Sequence, residues 1–81
     1  MKPLGNREFQ ILGLMAEGLS NKEIGAQLYL SDNTIKEYAS RIIRKLEAKN
    51  RTNAVWIACR LGLLVLDHRW NWTPKPELAA S

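Results

Sequence analysis

The sequence predicts an all-α fold built as a bundle of four helices. Apolar residues recur at helical spacing in four successive segments. Residues typical of helix starts precede these segments, and glycines stand where two of them should end, at Gly18 and Gly62. The chain has only 81 residues, so it can bury a single core, and packing a few helices together is the most economical way to do so.

The first two helices are separated by a sharp boundary. The first is predicted over residues 6–17, with Gly18 as its left-handed stop. Ser20 and Glu23 form the capping-box pattern that opens a second helix over about 21–28. Gly25 in the middle of that short helix should cost roughly 1 kcal/mol relative to alanine, which suggests a close approach to a neighbouring helix.

Residues 31–46, SDNTIKEYASRIIRKL, predict a third helix with two different faces. At about 100° per residue, one face is apolar and must pack inside the bundle. The opposite face carries small polar groups near its start, and Lys and Arg lie along its sides. Such a face suits the DNA major groove, and the alternative is a solvated surface helix. The predicted inner face comprises Ile35, Ala39, Ile42, Ile43 and Leu46, the outer face Asn33, Lys36, Glu37, Ser40 and Arg44, and the flank Tyr38, Arg41 and Lys45.

The fourth helix, predicted over 51–61, is apolar on more than one side. Its inner stripe is predicted to be Ala54, Ile57, Ala58 and Leu61. A second apolar set faces away and needs a separate cover, either a partner subunit or the C-terminal segment. This second set is Val55, Trp56, Cys59 and Leu63.

Positive charge is concentrated in one part of the chain. The net charge is +4, and residues 36–51 alone carry six bases and two acids. This distribution indicates an acidic partner, although so mild a balance also fits many ordinary domains.

Composition excludes several other classes of protein. The single cysteine, Cys59, permits no intramolecular disulfide, and no Cys/His spacing suggests zinc or another cofactor. The N-terminal residues lack the apolar run of a signal peptide, so we expect a cytoplasmic protein. An enzyme is not expected, because His68 is the only histidine and no nucleophile–base pair is indicated.

Four motifs in residues 4–66 resemble the C-terminal DNA-binding domain of the LuxR/FixJ/GerE family of bacterial transcription regulators. They are GLSNKEI before the second helix, S-x-x-T-I-K and I-x-x-K-L at the two ends of the third, and NRTNAV at the start of the fourth. The resemblance implies a tri-helical helix-turn-helix core whose third helix is the recognition helix, with the fourth helix as dimer contact. Departures are Gly5 and Asn6 in place of Thr-Pro, Gly25 in place of a common alanine, and Tyr38 where His is frequent.

The family's contacts with DNA carry over to named positions. Tyr38 could reach a phosphate or close the edge of the core, and Glu37 could accept from a cytosine amino group or pair with Arg41. The predicted base-contacting residues are Lys36, Glu37 and Ser40. The predicted contacts with the DNA backbone are Asn21, Lys22, Thr34, Tyr38, Arg41, Arg44, Lys45 and Arg51, and the predicted dimer contacts are Val55, Trp56, Cys59 and Leu63.

The expected function is that of a sequence-specific transcription regulator acting as a homodimer on an inverted repeat in double-stranded DNA. RNA polymerase is a further candidate partner, and the expected location is the nucleoid in the cytoplasm. Residues 1–66 would form the domain and 67–81 an irregular tail, and whether the chain stands alone or is a fragment of a longer regulator stays open. The alternative function is a protein-interaction module that docks a partner through the fourth helix and the tail tryptophans Trp70 and Trp72 without reading DNA.

Overall fold

The four predicted helices are all present. The computed structural model describes residues 2–66 and 72–74. The helices are α1 (Asn6–Ala16), α2 (Asn21–Leu28), α3 (Asp32–Lys45) and α4 (Arg51–Arg60), and two short strands follow, β1 (Leu64–Leu66) and β2 (Trp72–Pro74). The all-α prediction is therefore confirmed for the bundle, and the two strands were not predicted.

Polar side chains cap the N-termini of three of the four helices. The Ser20 hydroxyl accepts from the Glu23 amide at 3.1 Å, and the Glu23 carboxylate accepts from the Ser20 amide at 2.8 Å. This reciprocal pair confirms the predicted capping box at α2. Ser31 and Asn50 cap α3 and α4 in a similar way through one side-chain oxygen each.

All four helices end in the same way, in a left-handed residue that closes the last turn. In each case the next amide donates to a carbonyl five residues earlier, which is the Schellman arrangement. Gly18 takes this conformation as predicted, with φ of 87°, and Gly62 takes it at the predicted end of the fourth helix, with φ of 72°. The other two left-handed residues are Tyr29 and Glu47, with φ of 57° and 55°, and the sequence contains no signal for them because left-handed residues are usually glycine or asparagine.

The core lies where the apolar faces of the helices meet. On α3 the predicted inner face is confirmed, except that Ile43 is only half-buried. Tight burial on one side of α3 leaves its opposite side facing outward. The buried apolar residues are Phe9, Ile11, Leu12, Met15, Ile24, Ile35, Ala39, Ile42, Leu46, Ala54, Ala58 and Leu64.

The turn between α2 and α3 depends on Gly25. A Cβ atom at this position would lie 2.4 Å from the carbonyl oxygen of Leu30. The close approach predicted at Gly25 is therefore present, although its partner is the backbone of the turn. Tyr29, the C-cap of α2, adopts φ of 57° and is 95% exposed.

The prediction for α4 is wrong at Leu61. Ala54 and Ala58 are buried as expected, but Leu61 is 53% exposed. Leu61 follows the last helical residue, just before the chain turns at Gly62, and Leu64 is buried further along. Helical periodicity therefore predicts which residues are buried only as far as the end of α4.

The two strands correct the prediction of an irregular tail. Strand β1 pairs antiparallel with β2, with Val65 opposite Thr73, and β2 lies beside α1. Residues 72–74 of the predicted tail are thus an ordered part of the fold. The rest of that segment, including His68 and Trp70, lies outside the described residues.

Candidate nucleic-acid interface

The outward face of α3 is a continuous polar surface. Six exposed side chains line one shallow concavity there, and three of them are basic and one acidic. The buried inner face fixes the direction in which these side chains project. We refer to them as the reading face: Asn33, Lys36, Glu37, Ser40, Arg41 and Arg44.

The three predicted base-contacting residues all lie on the reading face. Lys36 and Ser40 are four residues apart and Glu37 stands beside them, so the three project from adjacent turns. The alternative for Glu37, an ion pair with Arg41, is not formed within the described residues, where the Arg41 guanidinium lies over the Tyr38 ring at 5.1 Å from its centroid.

Tyr38 stands at the edge of this surface. Its side chain is half-buried and packs against the core, as the core-edge interpretation requires. The stacked Arg41 remains exposed. The ring therefore supports a cation of the reading face, Arg41.

The N-terminus of α3 has an ordered polar start. The Ser31 hydroxyl accepts from the Thr34 amide at 3.1 Å and lies 2.9 Å from the Thr34 hydroxyl. Thr34, one of the predicted backbone contacts, is half-buried and already engaged with the cap.

Arg51 links three parts of the fold. Its guanidinium donates to the side-chain oxygen of Asn21 and to the carbonyl oxygen of Leu19. Partial burial lowers the pKa of Arg51, which still remains protonated at neutral pH. Both Asn21 and Arg51 were predicted to contact phosphates, and the structure uses them to hold the start of α2 against the start of α4.

Lys45 is engaged in an ion pair. Its ammonium lies 2.8 Å from the Glu8 carboxylate on α1. The side chain of Glu8 is 6% exposed and that of Lys45 is 24% exposed. Burial raises the pKa of Glu8, but the Gly5 amide, Lys45 and Arg41 together hold it below its usual value. Helical spacing carries no signal for this contact between Glu8 of α1 and Lys45 of α3.

The predicted backbone-contacting bases thus fall into two groups. Two are held by other parts of the chain, and we call them the tethered bases: Lys45 and Arg51. Three side chains are exposed to solvent, and we call them the exposed bases: Lys22, Arg41 and Arg44.

The predicted dimer residues on α4 and just after it differ in exposure. Trp56 is 56% exposed, with the Arg60 guanidinium 5.3 Å from the centre of its ring. Cys59 is half-buried, which raises the pKa of its thiol. Val55 and Leu63 are half-buried and pack against the core, so they are only partly available to a partner.

The described residues offer neither a cluster of metal ligands nor a membrane-spanning helix. Residues 2–66 and 72–74 contain no group of three His, Cys, Asp or Glu side chains that could hold a metal ion. None of the helices in that part of the chain is both long and apolar enough to cross a bilayer.

The sequence of this chain is similar to those of bacterial transcription regulators. Residues 2–58 match GerE, described as bacterial regulatory proteins of the luxR family. The chain is 54% identical over 60 residues to YvfU of Bacillus subtilis (strain 168), an uncharacterized transcriptional regulatory protein, and the match covers 74% of this chain and 30% of YvfU. It is 41% identical over 58 residues to DevR/DosR of Mycobacterium tuberculosis (strain ATCC 25618 / H37Rv), a DNA-binding transcriptional activator, with coverage of 72% and 27%.

A solved structure of the transcription factor GerE has a similar fold. The TM-score is 0.74 at 36% sequence identity, and the match covers 83% of this chain and all of that one. The chain thus spans the whole of the GerE structure but less than a third of the two curated relatives.

Proposed function

Because the chain belongs to the luxR family of bacterial regulatory proteins and is a DNA-binding domain of that family, we propose that it binds a specific operator as a dimer. The observation that carries this proposal is the reading face, where exposed polar side chains share one surface of α3. The α3 helix enters the major groove, and its first two turns meet the base edges.

The base-reading residues are Lys36, Glu37 and Ser40. A lysine can donate to the O6 and N7 atoms of guanine, a carboxylate can accept from the amino group of cytosine, and a hydroxyl can do either. The three side chains are exposed and close together, so they can reach neighbouring base pairs.

Contacts with the DNA backbone come first from the exposed bases. Lys22 stands in the first turn of α2, and Arg41 and Arg44 belong to the reading face. Phosphate contacts from such residues set the position of the protein on the duplex. Thr34 and Tyr38 can add hydroxyl contacts, whereas Asn21, Lys45 and Arg51 could do so only by sharing or giving up their internal partners.

Dimer formation uses α4, with Trp56 at the centre of the contact. An exposed tryptophan beside a half-buried Cys59 leaves apolar surface that a second copy can cover. A two-fold axis through this surface sets two α3 helices in successive major grooves about 34–36 Å apart, so the operator is an inverted repeat. A regulator of this kind works at the nucleoid in the cytoplasm, with RNA polymerase as a further partner.

The test compares a full operator with a half-site. An operator is first selected from random DNA, and wild type and Trp56→Glu are then titrated onto the full repeat and onto one half. We expect Trp56→Glu to lose cooperativity on the full repeat and to bind the half-site as wild type does. Gln10→Glu is the control, because it adds the same charge at an exposed position on α1.

Each result has a distinct meaning. Cooperative binding by Trp56→Glu would show that the dimer contact lies elsewhere. If wild type selects no sequence and its binding to duplex DNA does not respond to salt, the proposed function is wrong, and the protein-interaction alternative becomes the better explanation.

A further inference from the structure

The contact between Glu8 and Lys45 joins a buried acid to a base of the DNA-facing helix. Glu8 Oε1 accepts from the Gly5 amide at 2.7 Å and from the Lys45 ammonium at 2.8 Å. Its other oxygen, Oε2, is buried and has no hydrogen-bond partner within the described residues. Lys45 is therefore the cation that compensates this carboxylate.

Lys45 would otherwise be well placed for DNA. It lies one turn after Arg41 on the flank of α3, where a phosphate of a bound duplex would pass. To reach that phosphate, the ammonium would have to leave Glu8. A nearly buried carboxylate would then lose its cation, which is a strongly unfavourable change.

We propose that Glu8 is a positioning residue that withholds Lys45 from the DNA backbone, and so limits the part of the affinity that does not depend on sequence. This inference rests on the proposed DNA binding. Phosphate contacts supply essentially all non-specific affinity, whereas base contacts supply discrimination. Withholding one phosphate contact thus lowers the affinity for every duplex alike and leaves discrimination between sequences to the reading face.

The experiment measures non-specific binding over a salt series. Wild type, Glu8→Gln, Lys45→Met and the double variant are titrated onto a labelled random-sequence duplex by fluorescence anisotropy. Glutamine at position 8 keeps an oxygen for the Gly5 amide but removes the charge that holds Lys45. Glu17→Gln is the control, because it removes the same charge from an exposed position at the other end of α1.

We expect Glu8→Gln to steepen the slope of log K against log salt by about 0.9, the value for one added phosphate contact. The double variant should lose this gain. The control should leave the slope at the wild-type value, because a change of net charge alone adds no contact. A purely structural role of Glu8 could weaken binding but could not steepen the slope.

Two results would overturn the proposal. One is a Glu8→Gln slope equal to that of wild type, and the other is a loss of the full 0.9 on Lys45→Met while Glu8 is present. The second comparison decides the matter even if circular dichroism shows Glu8→Gln to be unfolded. Failure of wild type to bind any duplex at low salt would instead refute the proposed function itself.

Discussion

Basic residues on two sides of the recognition helix α3 differ in their contacts. On the reading face, Lys36 and Arg44 extend into solvent. On the flank, Lys45 directs its ammonium back to a carboxylate of α1. Arg51 of α4 behaves like Lys45, since it holds the start of α2.

This difference separates residues that can meet DNA from residues that keep the DNA-facing elements in place. We propose that a tethered base contributes to the free energy of unfolding and that an exposed base contributes to DNA binding. The two groups share residue types and a short stretch of sequence, so only their contacts distinguish them. Mutations can therefore test the division directly.

The largest effect on stability is expected from Arg51→Ala. The substitution removes two hydrogen bonds from a charged donor and leaves the Leu19 carbonyl without its partner. We expect a loss of about 1–2 kcal/mol in the free energy of unfolding, allowing for the partial exposure of the guanidinium. Thermal and urea unfolding, followed by circular dichroism, would measure it.

Arg44→Ala is the matched variant from the exposed group. It should change the free energy of unfolding by less than about 0.5 kcal/mol, while lowering the salt slope of DNA binding by about 0.9. If Arg44→Ala destabilised the fold as much as Arg51→Ala, the division between tethered and exposed bases would be wrong.

A smaller effect on the free energy of unfolding is expected at the turn between α2 and α3. In Gly25→Ala the new methyl group would overlap the Leu30 carbonyl oxygen, and relieving that overlap typically costs 1–3 kcal/mol. Alanine also has a higher helix propensity than glycine, which should stabilise the folded protein by about 1 kcal/mol. We therefore expect a net destabilisation of roughly 1 kcal/mol. Gln27→Ala, at an exposed position of the same helix, should be nearly neutral in the same urea titration. A Gly25→Ala protein more stable than wild type would show that the turn is not close-packed.

The smallest effect is a dependence of stability on pH. The pKa of Glu8 is lowered in the folded protein, so the unfolded chain binds its proton more readily. This contribution to stability is complete above the unfolded pKa of about 4.3 and is lost as pH falls through the lower folded pKa. Melting temperatures from pH 7 to pH 3 should therefore fall less in Glu8→Gln than in wild type. Equal falls in the two proteins would mean that Glu8 is not stabilised as a charged group.

Sequence predicted the helices well because their signals are local. Ser20 with Glu23, and Gly18 as a stop, act over a few residues, and the structure confirms them. The inner face of α3 followed from helical spacing alone. The reading face is the opposite side of α3 together with Arg41 from the predicted flank, so its members could also be named in advance.

Contacts distant in sequence could not be predicted in this way. Lys45 pairs with a residue 37 positions away and Arg51 with one 30 positions away, and no periodic pattern encodes either partner. Strand β2 was missed for the same reason, because its partner and its support come from elsewhere in the chain. The exposed Leu61 shows that periodicity also fails where a helix ends.

The most direct test of the central claim, that the outward side of α3 reads base edges, is the selection of operators from random DNA by wild type and by Lys36→Ala. For wild type the account predicts an imperfect inverted repeat. For Lys36→Ala it predicts a loss of roughly 1–3 kcal/mol on that operator and relaxed preference at symmetric base pairs in both halves. Ser40→Ala should relax a different pair of positions. Base preferences identical to those of wild type in both variants would contradict the claim.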